Sequence, residues 1–283
     1  MTTVADAEAE SAPAPKAGRN LPAAIGIGVI LGAAVVVSLF TIKWLFVALA
    51  TVVVMAAVFE LTRALSTRSA GVPRFPLVIG AGVVLVAGYT AGTQALIVAT
   101  LLVAVAAVMW GAVTDGADKL PAIGASVFVV CYVAFLAGFA VLLVIPDDGP
   151  RRAVAFVATV VCSDTGGYAI GVFLGKHPMA PSVSPKKSWE GFAGSVSACA
   201  LCGGLLLPLT LHATWWQGVL FGLAIVVAAT IGDLAESLIK RDLGIKDMGH
   251  LLPGHGGVMD RLDSLLLAAP VAWALLTAFV PWP

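Results

Sequence analysis

Residues 21–40 read LPAAIGIGVILGAAVVVSLF, a stretch of 20 residues without a charged side chain. A helix of about 20 apolar residues is long enough to span the ~30 Å hydrocarbon core of a bilayer. Similar stretches recur along the chain and are separated by short connections rich in proline and glycine. The pattern predicts an all-α, polytopic integral membrane protein with about nine transmembrane helices. These are residues 21–40, 43–65, 75–91, 94–113, 121–146, 152–174, 190–212, 215–241 and 262–281.

The composition supports this class and excludes a water-soluble protein. Of the 283 residues, 60% are hydrophobic and 11% are charged, and the mean hydropathy is +1.01. Soluble proteins carry about 25% charged residues, so a soluble enzyme of this length would lack the polar residues to cover its surface. The formal net charge is zero, with 16 basic and 16 acidic residues, which argues against nucleic-acid binding.

The N-terminal residues 1–20 have a different composition, because they are rich in Ala, Pro and acidic residues, with Lys16 and Arg19 only at the end. A secretory signal peptide would instead begin with basic residues and continue into a shorter apolar stretch with a cleavage site. We therefore predict a disordered tail at 1–20, followed by an uncleaved first helix.

The basic residues predict how the chain is oriented, since they concentrate in cytoplasmic loops. With a cytoplasmic N-terminus, 13 Lys and Arg residues fall on the cytoplasmic side and 3 outside, namely Lys43, Arg151 and Arg152. We therefore predict a multi-pass protein of the cell (inner or plasma) membrane, with its N-terminus inside and its C-terminus outside.

Charged residues are unevenly distributed along the chain. Ten of them fall among the 31 residues from Asp233 to Asp263, about three times the average density. Ionisable groups at membrane depth are costly and mark a functional site by default. Glu60, in the second predicted helix, is ambiguous, because it could pair with Arg63 one turn further on.

The sequence IGDLAESLIKR at 231–241 ends the eighth predicted helix. Asp233, Ser237 and Lys240 are spaced i, i+4, i+7 and therefore share one helix face. The alternative is a helix end with one solvated ion pair, formed by Glu236 and Lys240. That alternative accounts for Glu236 but not for Asp233, which lies about two turns inside the helix.

The sequence KDMGHLLPGHGGVMDRLD follows at 246–263. Its glycines free the backbone to approach a ligand, and consecutive N–H groups in such a loop can bind an anion. His255 lies among them, and Asp260, Arg261 and Asp263 open the last helix. Carboxylates beside a phosphate-binding loop indicate Mg²⁺, whereas zinc would need further His or Cys ligands. The alternative is a polar re-entrant loop with only a structural role.

Two further polar stretches fall on the same predicted side of the membrane. Asp164 lies in SDTGGY at 163–168, as either a ligand or part of a helix-breaking pair. Lys186 and Lys187 lie in SPKKSWEG at 184–191, where they could neutralise phosphates or anchor the chain at lipid headgroups. The neighbouring Ser188 and Glu190 favour a site, because anchoring does not need them.

The 27 residues from Ser237 to Asp263 resemble the signature of the phosphatidate cytidylyltransferases, or CDP-diacylglycerol synthases, of the bacterial type. The matching pattern is S-x-I-K-R-x₄-K-D-x-G-x-x-L-P-x-H-G-G-V-x-D-R-L-D. Residues 163–168, 184–191 and 232–237 resemble upstream blocks of the family, with Ser188 at a position where threonine is more frequent. The resemblance covers roughly residues 150–270, and the N-terminal half matches only in hydropathy.

The resemblance implies a nine-helix membrane enzyme, often a homodimer. Such an enzyme converts CTP and phosphatidic acid into CDP-diacylglycerol and pyrophosphate and requires Mg²⁺. It also implies that Asp233 and Asp260 bind a metal centre, which can include a second, monovalent cation such as K⁺. We accordingly divide the chain into a cytoplasmic tail (1–20), N-terminal transmembrane helices (21–150) and a C-terminal transmembrane catalytic region (151–283).

The reaction assigns roles to the candidate residues. Phosphatidic acid is already ionised near neutral pH, so positioning and charge neutralisation matter more than a general base. We expect Asp233 and Asp260 to bind Mg²⁺, with Asp164 as a further candidate. The residues expected to hold phosphates or to orient the groups that do so are Lys186, Lys187, Ser188, Glu190, Ser237, Lys240, Arg241, Lys246, Asp247, Arg261, Asp263 and the loop His255-Gly256-Gly257.

Two other functions need comparison. A secondary transporter would also contain buried carboxylates, but the polar residues cluster on one predicted face of the membrane, and no internal repeat is visible. A CDP-alcohol phosphotransferase would carry Asp-x-x-Asp-Gly-x-x-Ala-Arg, and this run is absent from the sequence.

Overall fold

Helices make up most of the computed structural model, which describes residues 32–68, 71–113, 119–249, 251 and 256–280. Besides the helices there are two short strands and one π-helical turn. In chain order the elements are α1 (Gly32–Thr41), α2 (Lys43–Leu65), α3 (Arg74–Val113), α4 (Lys119–Val129), the π-helical turn (Val130–Phe135), α5 (Leu136–Leu142), α6 (Gly149–Leu174), β1 (Pro178–Ala180), β2 (Ser184–Ser188), α7 (Trp189–Leu211), α8 (Trp215–Leu243) and α9 (Met259–Phe279).

The chain is a polytopic membrane protein, as predicted. Within the described ranges, seven helices are long and apolar enough to cross a membrane, and α4, the π-helical turn and α5 together form one of them. This count does not reach the predicted nine, for two reasons. Most of the predicted helix 21–40 lies outside the described residues, as does the predicted tail 1–20. The predicted helices 75–91 and 94–113 are counted as one element, α3, although the chain reverses within it at Gly92.

Helix α3 reverses direction at Gly92, where φ is 75° and ψ is −163°. Only glycine adopts such a conformation at little cost. On either side of the reversal, Gly80 lies against Val103 and Gly88 against Leu96. These contacts pair residues on opposite sides of Gly92, so α3 consists of two antiparallel arms, 74–91 and 93–113, which correspond to the two predicted helices.

One end of the bundle is held by two basic side chains that bind backbone carbonyls. The Lys43 ammonium donates to the carbonyl oxygen of Ile145 at 3.1 Å. The buried Arg152 guanidinium donates to the carbonyls of Leu276 and Val280 at 3.0 and 2.7 Å. The Leu276 carbonyl also accepts the N–H of Val280 at 3.0 Å, so Arg152 binds the C-terminal end of α9. We call this the Arg152 end.

The opposite end of the bundle, here called the Arg68 end, carries most of the basic residues that the structure describes. There Arg68 follows α2 and donates to the carbonyl of Asp242 in the last turn of α8, at 2.7 Å. Arg63, Arg74, Lys119 and Arg261 belong to this end because they begin or end helices that meet there. The segregation of basic residues expected from the sequence is therefore present in the fold.

Close helix packing positions the C-terminal half of the chain. Gly203 of α7 and Gly218 of α8 lie so close that a Cβ on either would overlap the backbone of the other. Gly232 of α8 similarly faces the carbonyl oxygen of Asp263 in α9. Small residues at such crossings let helix backbones approach in lipid, where packing drives association. As a consequence, the acidic residues that follow Gly232 and precede Ser264 are neighbours.

A β-hairpin interrupts the helices between α6 and α7, where the sequence predicted only a proline-rich connection. Strands β1 and β2 are antiparallel, with Pro178 opposite Ser188 and Ala180 opposite Ser184. The Arg241 guanidinium donates to the carbonyl of Val183 at 3.1 Å and ties the hairpin to α8. The hairpin therefore lies over the Arg68 end of the bundle.

Candidate active site

A cavity of about 540 Å³ opens at the Arg68 end, between helices α6 to α9 and strand β2. The four helices supply its walls, and the hairpin supplies lysines from the side. It brings together residues that the sequence analysis had selected from four separate stretches. The predicted site residues that line it are Asp164, Lys186, Lys187, Ser188, Asp233, Lys240, Asp247, Asp260, Arg261 and Asp263.

Asp233 faces the cavity from α8 and is held by two neighbours. Its Oδ2 atom lies 2.6 Å from the Lys187 ammonium of β2. Its Oδ1 atom accepts a hydrogen bond from the Ser237 hydroxyl at 3.3 Å, one turn further along the helix. The helix face shared by Asp233 and Ser237 was predicted from their spacing. The ion pair with Lys187 links the hairpin to α8 across the cavity.

Lys240 joins α8 to α9 through two carboxylates. Its ammonium lies 2.8 Å from Glu236 Oε2 and 2.9 Å from Asp260 Oδ1. Glu236 is fully buried, so the alternative of a solvated ion pair at a helix end is wrong. A buried carboxylate needs a cation or several hydrogen bonds to offset its loss of hydration, and Lys240 supplies this charge to both acids.

Asp260 organises the segment that precedes α9. Its Oδ2 atom accepts hydrogen bonds from the backbone N–H groups of Met248 at 3.0 Å and Gly257 at 2.9 Å. Gly256, which directly precedes Gly257, has a φ of 82°, a conformation that favours glycine. With Lys240 on Oδ1, the carboxylate has three partners and its side chain is only 6% exposed. Asp260 therefore holds the loop as well as lining the cavity.

Glu60 of α2 is a site neighbour that the sequence analysis did not select. Its side chain is 3% exposed, and Oε2 accepts a hydrogen bond from the N–H of Met259 at 3.0 Å. Within the described part of the chain, no ion pair joins it to Arg63. The only feature of the sequence that could have indicated a role for Glu60 was its position as the one carboxylate in a mostly apolar helix. Its partner, however, lies 199 residues away in the sequence, and local spacing could not identify it.

The profile of the cytidylyltransferase family matches residues 22–279. The chain belongs to this family. It is 42% identical to the phosphatidate cytidylyltransferase of Mycobacterium leprae, in an alignment that covers 93% of this chain and 89% of the relative. It is 38% identical to that of Mycobacterium tuberculosis, over 93% of this chain and 84% of the relative. The enzyme of Staphylococcus epidermidis is 37% identical over about half of each chain, 52% and 56%.

These matches correct one inference from the sequence. The resemblance was expected to cover roughly residues 150–270, with only hydropathy shared in the N-terminal half. The family match instead begins at residue 22. The contact between Glu60 and Met259 gives a physical reason for including α2, because that helix touches the segment that carries Asp260.

Several predicted site residues of this cytidylyltransferase do not line the cavity. Glu190 accepts hydrogen bonds from the backbone N–H groups of Lys176 and His177 at 3.1 and 3.2 Å, and so fixes the turn before the hairpin. Arg241 contacts the hairpin, and Lys246 is exposed. His255 lies outside the described residues. Their roles in substrate binding stay predictions.

Several hydroxyl side chains that line the cavity, unlike that of Ser188, were not selected from the sequence. Ser163 and Ser195 meet between α6 and α7, where the Ser195 hydroxyl donates to the Ser163 carbonyl at 2.7 Å. Thr230 and Ser264 line the cavity from α8 and α9. Ser163 belongs to the polar stretch 163–168 that also contains Asp164. The other three lie in apolar runs, where small hydroxyl residues are common for packing reasons alone.

The cavity fits a divalent cation by the chemistry of its donors. Among the described residues, no three His, Cys, Asp or Glu side chains form a ready-made metal cluster. Mg²⁺ does not require one, since it is usually held by one or two carboxylates together with substrate phosphates and water. Asp164 is exposed and the Asp233 side chain is 33% exposed, so both are more accessible than Asp260.

The cavity is lined by positively and negatively charged side chains that lie side by side. Lys186, Lys187, Lys240 and Arg261 line it together with five aspartates. Cations of this kind bind phosphate oxygens, and carboxylates attract a hard metal ion. The arrangement is therefore suited to a substrate with several phosphates that is bound together with a metal ion.

Proposed function

We propose that the chain transfers the cytidylyl group of CTP to phosphatidic acid, the reaction for which its relatives are named. The observation that carries this proposal is the cavity itself. Carboxylates and ammonium groups from α6, β2, α8 and α9 meet there at one end of an apolar helical bundle. A lipid substrate could present its phosphate at this depth while its acyl chains remain in the bilayer.

The reaction exchanges one phosphate linkage for another. A non-bridging oxygen of the phosphatidic acid phosphate attacks the α-phosphorus of CTP and forms a new P–O bond. The bond from that phosphorus to the oxygen shared with the β-phosphorus breaks, and pyrophosphate leaves with the electron pair. Two anionic groups must approach each other, so catalysis depends on charge neutralisation and alignment.

The cations of the cavity supply that neutralisation from the protein. Arg261 and Lys186 are exposed and can turn towards phosphate oxygens. Lys187 and Lys240 are already paired with Asp233 and Asp260, so phosphate binding would share or replace these partners. We assign Lys187 and Arg261 to the phosphates of the two substrates, and Lys240 to holding Asp260 in place.

Magnesium is the metal that we propose for this site, with Asp233 as its principal protein ligand and Asp164 and Asp260 as further ones. When bound, it would neutralise phosphate oxygens of CTP and stabilise the pyrophosphate leaving group. Asp263 lies beside this set, and its Oδ1 atom accepts the N–H of Ser264 at 2.6 Å. A second, monovalent cation such as K⁺ is part of the same proposal.

The proposed orientation places the cavity on the cytoplasmic side of the plasma membrane. The basic residues at the Arg68 end support it through the positive-inside rule. At the Arg152 end, Lys43 and Arg152 are bound to carbonyls and serve packing. The homodimer implied by the family resemblance stays a prediction.

The test is a transfer assay with the purified full chain in detergent micelles that contain dioleoyl phosphatidic acid. CTP labelled at the α-phosphorus should pass its label to the chloroform-soluble lipid in the presence of Mg²⁺, with one pyrophosphate released per labelled lipid. Label that stays in water as CMP would indicate hydrolysis instead. Absence of any CTP turnover would contradict the proposal.

A further inference from the structure

A buried carboxylate from the N-terminal half of the chain caps the helix that begins at the proposed site. Helix α9 has no side-chain cap of its own at Val258. Its first residue, Met259, donates its backbone N–H to Glu60 Oε2 instead. The N-terminus of a helix attracts negative charge and leaves N–H groups that need acceptors. Glu60 therefore does from α2 what a local capping residue would normally do.

The same carboxylate lies directly on the backbone of the segment before α9. A Cβ added to Gly249 would overlap Glu60 Oε1, and one added to Gly257 would come within 2.6 Å of Glu60 Oε2. No side chain fits between the carboxylate and either glycine. Oε1 has no hydrogen-bond partner within the described part of the chain. The contact is thus a tight fit between one buried charge and two glycines.

Asp260 binds the same segment from the cavity side. It accepts the N–H groups of Met248, which precedes Gly249, and of Gly257 itself. Glu60 does not line the cavity, whereas Asp260 does. Any displacement of Gly257 or Met259 would therefore move Asp260, which follows Met259 directly in the chain.

We propose that Glu60 is a positioning residue for the transfer reaction. It fixes the start of α9 and the glycine backbone beside it, so that Asp260 and Lys240 keep their places in the cavity. This role rests on the proposed function, since it concerns the geometry of that same site. It also extends the functional part of the chain into α2, far from the C-terminal signature.

Three variants and two controls separate this role from a general effect on stability. Glu60→Ala removes the cap, and Glu60→Gln keeps an acceptor oxygen for Met259 but loses the charge. Thr62→Val is the matched control, because Thr62 is equally buried on α2 and bonds only to carbonyls of its own helix. Gly249→Ala approaches the same contact from the loop. Gly124→Ala is its control, since no atom lies near a Cβ there.

Two measurements are informative for each variant. In the transfer assay, Glu60→Ala should lower kcat per folded molecule by at least about tenfold, since small misplacements of reacting groups are costly. It should also raise the Mg²⁺ concentration for half-maximal activity by about fivefold, as P–O chemistry at the site depends on the carboxylates that hold the metal. Glu60→Gln should fall between Glu60→Ala and the wild type, and Thr62→Val should match the wild type.

Hydrogen exchange provides the readout without substrate or metal. Peptides that contain the Met259 amide should exchange faster in Glu60→Ala and Gly249→Ala than in the wild type and the two controls. If Glu60→Ala does not fold, Gly249→Ala decides the question by the same measurements.

The outcomes distinguish the two proposals. A wild-type chain without transfer activity would overturn the proposed function and the positioning role together. An active wild type, with unchanged kcat, Mg²⁺ dependence and exchange in folded Glu60→Ala, would overturn the positioning role alone. Equal losses in Glu60→Ala and Thr62→Val would also overturn it, because α2 would then act only through its packing.

Discussion

The ammonium of Lys187 lies 2.6 Å from the carboxylate of Asp233, so the β-hairpin and helix α8 are joined by an ion pair across the cavity. Both side chains are partly exposed, at 24% and 33%, so a ligand can reach them. Lys186, the residue before, lines the same cavity and is more exposed. The two adjacent lysines therefore offer a matched comparison.

Lys187→Gln should reduce CDP-diacylglycerol formation more than Lys186→Gln. Lys187 is held in place by Asp233, whereas Lys186 is more exposed and has no ion pair among the described residues, so other cations can offset its loss. We expect a loss of at least about tenfold for Lys187→Gln and less than about threefold for Lys186→Gln, the range between a positioned and a surface charge. Initial rates at saturating CTP measure the difference, and equal effects would contradict it.

Asp233→Asn should abolish transfer from labelled CTP without unfolding the protein, because the amide keeps the shape but removes the charge that would hold the metal. The control is Asp242→Asn, an exposed aspartate on the same helix that does not line the cavity. Thermal unfolding in detergent checks that both variants are folded. Turnover retained by Asp233→Asn at saturating Mg²⁺ would remove Asp233 from the metal site.

Lys240→Met should strongly destabilise the fold, since it leaves Glu236 and Asp260 without their shared cation. Removing one partner of a buried ion pair typically costs about 3–5 kcal/mol. The double variant Glu236→Gln/Lys240→Met should recover part of this loss, because it also removes the fully buried charge. Unfolding midpoints measure both effects. A double variant less stable than Lys240→Met would show that Glu236 is stabilised by other groups.

Arg152→Met should lower the free energy of unfolding by about 3–5 kcal/mol, because it removes a buried charge that Asp148 and two carbonyls of α9 share. Activity per folded molecule should stay within about twofold. Arg152 lies at the end opposite the cavity, and changes at distant sites that share no partners act independently. Arg151→Met, at the exposed neighbouring position, is the control. A large loss of kcat in folded Arg152→Met would link the two ends of the bundle.

Most of the helices could be predicted from the sequence, because a bilayer requires long apolar stretches and short connections. The predicted helix 152–174 corresponds to Gly149–Leu174, and the predicted helix 215–241 corresponds to Trp215–Leu243. The hairpin was not predicted. Its strands are only 3 and 5 residues long and contain prolines, so neither length nor alternation distinguished them from a loop.

The cavity could be located from the sequence because charges are rare in this chain and costly in lipid. Asp233 and Asp260 stood out for that reason, although 27 positions separate them. Glu60 did not stand out, since one acidic residue near a helix end has a simple local explanation in Arg63. Only the fold shows that its carboxylate contacts Met259. Tertiary partners of single polar residues are not encoded in local spacing.

The reversal at Gly92 also decides the sidedness of everything that follows it. A straight helix of the 40 residues in α3 would be about 60 Å long, twice the hydrocarbon thickness. By turning back, the chain crosses an even number of times between Arg74 and Val113 and returns to the side it left. Without that turn, every later helix would be inverted, and the aspartates would face the compartment opposite Arg63 and Arg68. The side of the membrane on which each later helix begins therefore depends on Gly92, a single residue with a positive φ.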